Sequence, residues 1–171
     1  MENEKNDTSS VIKAIELVPG PWQTVDRLPS MGRVYLKAIR KGRSKPSAIL
    51  DNARVAVPRL RLPGFRIDSG RLADYCHVCG FSEPRSRTVP IPYFQSLFVG
   101  LLGMCITQPS FPVNPLGLIH IFQSFEMRRP VDQDEPIDLS CSLTGISKTI
   151  KGIESEFTLC VDSGNETVWK G

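Results

Sequence analysis

The sequence predicts an α+β fold in which an antiparallel β-sheet wraps around one central apolar helix. Three observations predict it. Residues 91–106, IPYFQSLFVGLLGMCI, are apolar on every side of a helical wheel apart from Gln95 and Ser96, and a helix that is apolar all round is buried all round. The run is too short and too interrupted to cross a bilayer, which takes about 20 apolar residues, so the cover must come from the protein itself. Residues 116–170 then carry strand patterns separated by turn signals, and they are the candidate cover.

A chain of 171 residues, 40% hydrophobic and 23% charged, suits one soluble globular domain with an extension. Residues 1–53 read as an N-terminal extension, partly disordered and holding a short basic helix, and residues 54–171 as the domain. The opening MENEKNDTSS is polar and acidic, which excludes a secretion signal, and no segment qualifies as a membrane span. Five cysteines, odd in number and irregular in spacing, argue against a disulfide framework and for a reducing, cytoplasmic setting. The net charge of +3 is uneven: residues 1–90 hold 16 Lys/Arg against 9 Asp/Glu, and residues 91–171 hold 5 against 9. The basic half is either a solvated surface or a draw for an anionic partner. No Gly-rich phosphate loop, zinc-finger spacing or aromatic-basic RNA motif accompanies it, so nucleic acid is not expected as a partner.

Taken in order, residues 1–10 are polar and lack aromatics, the composition of disorder. Residues 11–22 contain Pro19, Gly20 and Pro21, which are expected to stop any element. Residues 32–45 read as a short helix with Val34, Tyr35, Ala38 and Ile39 apolar, ending at Gly42 and followed by a basic exit that includes Arg43 and Lys45. Residues 54–62, RVAVPRLRL, alternate as a half-exposed strand does, and Pro58 pushes it toward a sheet edge. Residues 68–80 read as a helix capped by Asp68 or Ser69 and stopped by Gly80. Its apolar stripe is Leu72, Tyr75, Cys76 and Cys79. A loop, residues 81–90, leads into the central helix, and the three prolines of residues 108–115 make an irregular exit. Residues 116–127, LGLIHIFQSFEM, are apolar on both faces and predict a central strand. Residues 137–146 and 152–161 alternate cleanly, with Ser147–Lys151 turning one into the other. Asp162–Asn165 forms a second turn, and Glu166–Trp169 a last strand that the end of the sequence cuts short. Tight turns make these strands antiparallel.

Cys76 and Cys79 form a CxxC. A zinc site would need a second ligand pair at a usable spacing, and a redox pair would sit at a helix N-terminus, where thiolates are stabilised. Here the pair lies at the C-terminal end, so both thiols are read as core packing, with no metal and slow thiol chemistry.

An apolar helix followed by a meander of long antiparallel strands is the layout of the hot-dog fold. The runs ADYCHVCGF, VPIPYFQSLFVGLLGMCI, FPVNPLGLIHIFQSFEMRRPV and GNETVWKG resemble the N-terminal half of MaoC-like acyl dehydratases, relatives of (R)-specific enoyl-CoA hydratases. The resemblance covers residues 33–171 and rests on PLGLIH and RRPV at a fixed distance after the apolar helix. It implies two paired hot-dog units and an acyl thioester, on CoA or an acyl carrier protein, lying in a tunnel beside the central helix. It implies Tyr93, Phe94, Leu97, His120 and Phe122 as substrate-binding residues and no cofactor. Active members carry an Asp and, five residues later, a His, which together activate water. The positions five before His77 and His120 are Leu72 and Pro115, so this signature is absent. The resemblance therefore points to a non-catalytic unit whose chemistry is supplied by a second unit, either as part of a longer protein or in a dimer.

His120 sits between Ile119 and Ile121 and is read first as a buried, hydrogen-bonded histidine and second as a tunnel residue and weak catalytic candidate. Arg128 and Arg129 could hold an anion, but Glu126, Asp132 and Asp134 are close enough to neutralise them. Three readings of function follow: a non-catalytic acyl-binding unit, which is favoured; a hydratase or thioesterase-like homodimer using His120; and a basic interaction module without acyl chemistry.

Overall fold

The structure, a computed structural model, describes residues 11–42, 54–81 and 87–171. The disorder expected for residues 1–10, the basic exit at Arg43 and Lys45, and part of the loop before the central helix lie outside the described residues. The elements are β1 (Val11–Ala14), β2 (Glu16–Thr24), α1 (Met31–Gly42), β3 (Arg54–Phe65), α2 (Ser69–Cys79), α3 (Tyr93–Ile106), β4 (Glu126–Met127), β5 (Ile137–Thr149), β6 (Gly152–Ser163) and β7 (Glu166–Lys170). One seven-stranded sheet has the order β2-β3-β5-β6-β7-β4, with β1 also paired to β5. Every pairing is antiparallel except β2 with β3.

The meander β5-β6-β7 follows from sequence. On β5 the buried residues are Ile137, Leu139, Cys141 and Leu143, after which the phase shifts to Ile146 and Thr149. The register breaks between Leu143 and Gly145, where a bulge puts an extra residue into β5. A bulge changes which parity faces the core, and the apolar pattern changes with it. The β5–β6 turn is tighter than the sequence suggests, because β5 continues to Thr149 and β6 begins at Gly152.

The N-terminal stretch departs from expectation. Pro19, Gly20 and Pro21 do not end an element: β2 runs through them as an outer strand beside β3. Proline is tolerated at a sheet edge, where its missing N–H costs no ladder bond. The register jumps from Pro19↔Val57 to Trp22↔Arg59, so Gly20 and Pro21 face the single residue Pro58. A Cβ on Gly20 would lie 2.7 Å from the Val57 carbonyl oxygen, so the bulge requires glycine. Pro58 is accommodated at this bulge, although β3 is an interior strand rather than an edge. Strands β1 and β2 thus belong to the same sheet as the elements after residue 54.

Helix α3 packs one face on the sheet through Phe94, Phe98, Leu101 and Cys105, with Cys105 Sγ 3.5 Å from Cys141 Sγ on β5. The cover on its other side comes from α1 and the segment before it, not from a wrapping sheet. A Cβ on Gly103 would lie 2.5 Å from Val34 Cγ1, and one on Gly100 would lie 3.0 Å from Pro29, so two glycines let these neighbours approach. A stripe at helical spacing, Gln95, Val99, Leu102 and Ile106, stays partly open, with Val99 45% exposed. Of the apolar α1 positions, Val34 and Ala38 are buried, whereas Tyr35 and Ile39 are exposed.

Lys41 fastens α1 to the end of α3. Its Nζ donates to the carbonyl oxygens of Ile106 (3.1 Å), Gln108 (2.5 Å) and Phe111 (2.6 Å) and lies 5.0 Å from the Phe111 ring centroid. Three acceptors match the three N–H donors of an ammonium, and a cation suits a helix C-terminus. Burial pulls its pKa down to about 8.

The largest departure is at residues 116–125. A central strand is expected there, yet only Glu126–Met127 is strand, paired with β7 at the sheet margin. The register sets Glu126 opposite Lys170 and Met127 opposite Trp169. Leu116, Leu118, Ile119, Ile121, Phe122 and Phe125 are exposed among the described residues.

Unequal burial on α3 makes an expected result specific. Leu101→Ala should cost about 2–5 kcal/mol, and Leu102→Ala distinctly less, because Leu101 is fully buried and Leu102 only partly. Urea unfolding of the two variants checks this; equal losses would contradict the open stripe.

Candidate functional site

Trp169 on β7 lies between Phe94, one of the residues expected from the sequence to bind substrate, and Phe125 at the end of the exposed run. It is fully buried, and its ring stacks on Phe98 (centroids 5.5 Å apart, 11° between planes). It also contacts Phe94 at 5.8 Å and Phe125 at 5.6 Å. Its indole N–H has no hydrogen-bond partner among the described residues, which is uncommon for a buried tryptophan. Tyr93, Phe94 and Leu97 are all buried in the main core, with Tyr93 meeting Tyr75 edge-on at 5.1 Å. Burial, reinforced by the Asp68 charge, raises the pKa of the Tyr93 hydroxyl.

His120 and Phe122 lie apart from those three, on the exposed 116–125 segment. Phe122 is 72% exposed. His120 is exposed rather than buried, and its Nε2 lies 2.8 Å from the Phe122 carbonyl oxygen. A carbonyl only accepts, so in that bond Nε2 is the donor. No carboxylate partners His120 among the described residues. The structure therefore places the five residues in two groups, three in the core and two on the surface run, with Phe125 and Trp169 as the link. Sequence reasoning missed Trp169 as a member. The signal was the apolar pair Val168–Trp169 in a five-residue strand, which marks one end of that strand as core.

The arginines of RRPV are occupied. Arg129 grips Glu135 with two guanidinium nitrogens, at 2.6 and 3.1 Å, and reaches Glu166 at 3.2 Å. Glu135 also accepts from Ser163 Oγ at 2.5 Å. Arg129 first and Ser163 second hold the Glu135 carboxyl down at about 2. Arg128 pairs with Glu126 at 3.4 Å. The expected acidic partners Asp132 and Asp134 pair with Arg87 instead, tying the entry of α3 to the turn after β4. Backbone bonds from Val89 N to Val131 O (2.9 Å) and from Gln133 N to Arg87 O (2.8 Å) reinforce that tie. The network is architectural.

Helix α2 forms as its sequence indicates. Asp68 Oδ1 accepts from the Arg71 N–H at 2.9 Å, and Gly80 ends the helix at φ 70°, a left-handed conformation suited to glycine. The CxxC is split by burial. Cys76 is buried with Leu72, but Cys79 is exposed, which corrects its assignment to the core stripe. One thiol, Cys79, should therefore react quickly with a disulfide reagent in the native protein, and Cys76, Cys105 and Cys141 only on unfolding. Cys79→Ser should remove the fast phase; if it survives, this assignment is wrong.

No protein-family model matches the chain, and no curated protein matches it. Among solved structures the chain is similar to HtdX of Mycobacterium tuberculosis, a protein of hot-dog type. The identity is 20% and the TM-score 0.59, with 66% of this chain covered. The chain spans about half the length of HtdX, 47% of that protein. A likeness at this identity speaks to architecture, and with the mixed sheet and the few helices packed on it, it shows that the chain has a hot-dog-like α+β fold.

Proposed function

We propose that the chain is the acyl-thioester-binding, non-catalytic unit of a MaoC-like hot-dog hydratase or dehydratase, and that a second hot-dog unit covers residues 116–125. The observation that carries this reading is the exposed apolar run. Ile119, Ile121 and Phe122 are 81%, 72% and 72% exposed within four consecutive residues of one irregular segment. A contiguous apolar surface of this kind marks a binding or association face. Phe125 continues the run into the core at Trp169, against Phe94 and Phe98 of α3. An apolar chain lying between two units would then have α3 on one side and this run on the other. That HtdX has roughly as much chain again as the matched part fits a two-unit arrangement.

Decanoyl-CoA titrated into the chain by calorimetry tests the binding half, with affinity expected to fall as salt rises because the first half of the chain is basic. Sedimentation tests the pairing half. The chain should associate, with itself or with a supplied second unit, and Ile119→Asp with Phe122→Asp should abolish association without unfolding, since both side chains are exposed. A wild-type chain that stays monomeric at high concentration, alone and with a second unit, would refute the covered face.

One observation favours a second reading, a homodimeric enzyme using His120. The Nδ1 of that ring has no hydrogen-bond partner among the described residues, and the residue stands on the run that pairing would bury.

A further inference from the structure

A cleft of about 420 Å³ lies between the β2–α1 connection, the first turns of α1 and Met104 of α3. Its floor is apolar, from Leu28, Val34 and Met104, and its walls carry Arg27, Arg33 and Lys37. Arg33 and Lys37 are one helical turn apart on α1, so both heads reach the same side. None of the three cations forms an ion pair among the described residues. Asp26, adjacent in sequence, pairs with none of them, and the first turn of α1 has no acidic residue. That contrasts with Arg87, Arg128 and Arg129, each of which has a carboxylate.

Three unpaired cations around one apolar hollow repel one another unless an anion joins them. The start of α1 adds to the positive potential, because backbone N–H groups at a helix N-terminus point outward and the helix dipole is positive there. Arginine presents a fork that matches phosphate oxygens, and lysine adds a point charge. A carboxylate-only ligand would not need three cations, and a purely apolar one would not use them.

We propose that this cleft is a phosphate subsite, taking the phosphate or diphosphate of an organic ligand whose apolar part rests on Leu28, Val34 and Met104. Two sources share that chemistry: the phosphorylated carrier of an acyl thioester, and a separate phosphorylated ligand. Only the first rests on the function proposed above. The cleft follows the same helix that carries Tyr93, Phe94 and Leu97, by way of Met104.

The test uses the full chain with pyrophosphate, decanoyl-CoA and decanoyl-pantetheine, which lacks the phosphates. Pyrophosphate should bind the wild type, and R33E/K37E should weaken it at least tenfold. The control R71E/K148E, an equal charge change at exposed positions elsewhere, should leave it nearly unchanged. R33Q/K37Q provides a milder version in case charge reversal disturbs folding, with thermal melts of all variants run in parallel. If the carrier is the source, decanoyl-CoA binds the wild type more tightly than decanoyl-pantetheine, and R33E/K37E removes that advantage while pantetheine binding persists. If the source is separate, pyrophosphate binds with no such advantage. Failure of both thioesters to bind would overturn the acyl reading alone. Pyrophosphate that fails to bind, or binds R33E/K37E and R33Q/K37Q as tightly as wild type, overturns the subsite.

Discussion

Trp169→Ala is expected to destabilise the chain by about 3–5 kcal/mol, the range for truncating a buried aromatic residue. Trp169 has no solvent exposure and fills the space between Phe94, Phe98 and Phe125. Removing the indole would leave a cavity walled by three rings, two of them on α3, and cavity and lost transfer energy add. No hydrogen bond of the indole N–H contributes among the described residues. Trp169→Phe separates the terms. It keeps an aromatic ring against Phe98 and removes the orphaned donor, so it should recover much of the loss. Urea unfolding with an unchanged m-value measures both. If the alanine variant melts with the parent, Trp169 is not the keystone between α3 and the 116–125 segment. If Phe is as damaging as Ala, ring packing against Phe98 is not what Trp169 contributes.

The elements legible in the sequence were those whose pattern depends on local chemistry or on neighbours close along the chain. Asp68 and Gly80 announced both ends of α2, and the alternation of Ile137, Leu139, Cys141 and Leu143 announced β5. The misread stretches depend on context. Pro19, Gly20 and Pro21 break most elements, but β2 is an outer strand and takes them in a bulge opposite Pro58. Residues 116–125 are apolar on both faces, which is the signature of a strand covered on both faces. Among the described residues neither a cover nor a facing strand meets them, so a correct apolarity signal gave an incorrect element. For the same reason His120 was read as buried. The Arg33–Lys37 spacing was visible, but only folding shows that Arg27 and Met104 complete a cleft with it. Trp169 looked like part of a clipped strand, since nothing local says that Phe94, Phe98 and Phe125 converge on it.

The largest expected effect concerns catalysis: the chain alone should not hydrate enoyl thioesters at a measurable rate. Hydration needs a base to take a proton from water and an acid to deliver one to the α-carbon, and well-placed groups contribute about 10²–10⁴-fold each. Neither histidine has an Asp five residues before it, the spacing expected of active MaoC-like enzymes; those positions are Leu72 and Pro115. His77 lies exposed on α2. His120 donates its Nε2 proton to the Phe122 carbonyl, and among the described residues no carboxylate orients it or stabilises its charged form. It could supply one of the two proton transfers at most. The expected pattern is binding without turnover, followed as enoyl-CoA absorbance that stays constant while calorimetry registers binding. Adding a second hot-dog unit that carries the Asp/His pair should restore hydration, and Ile119→Asp with Phe122→Asp should prevent that restoration by blocking pairing. Hydration by the chain alone, abolished by His120→Ala with no change in thermal stability, would replace this reading with the homodimeric enzyme, because only a group in contact with the reacting atoms separates rate from fold in that way.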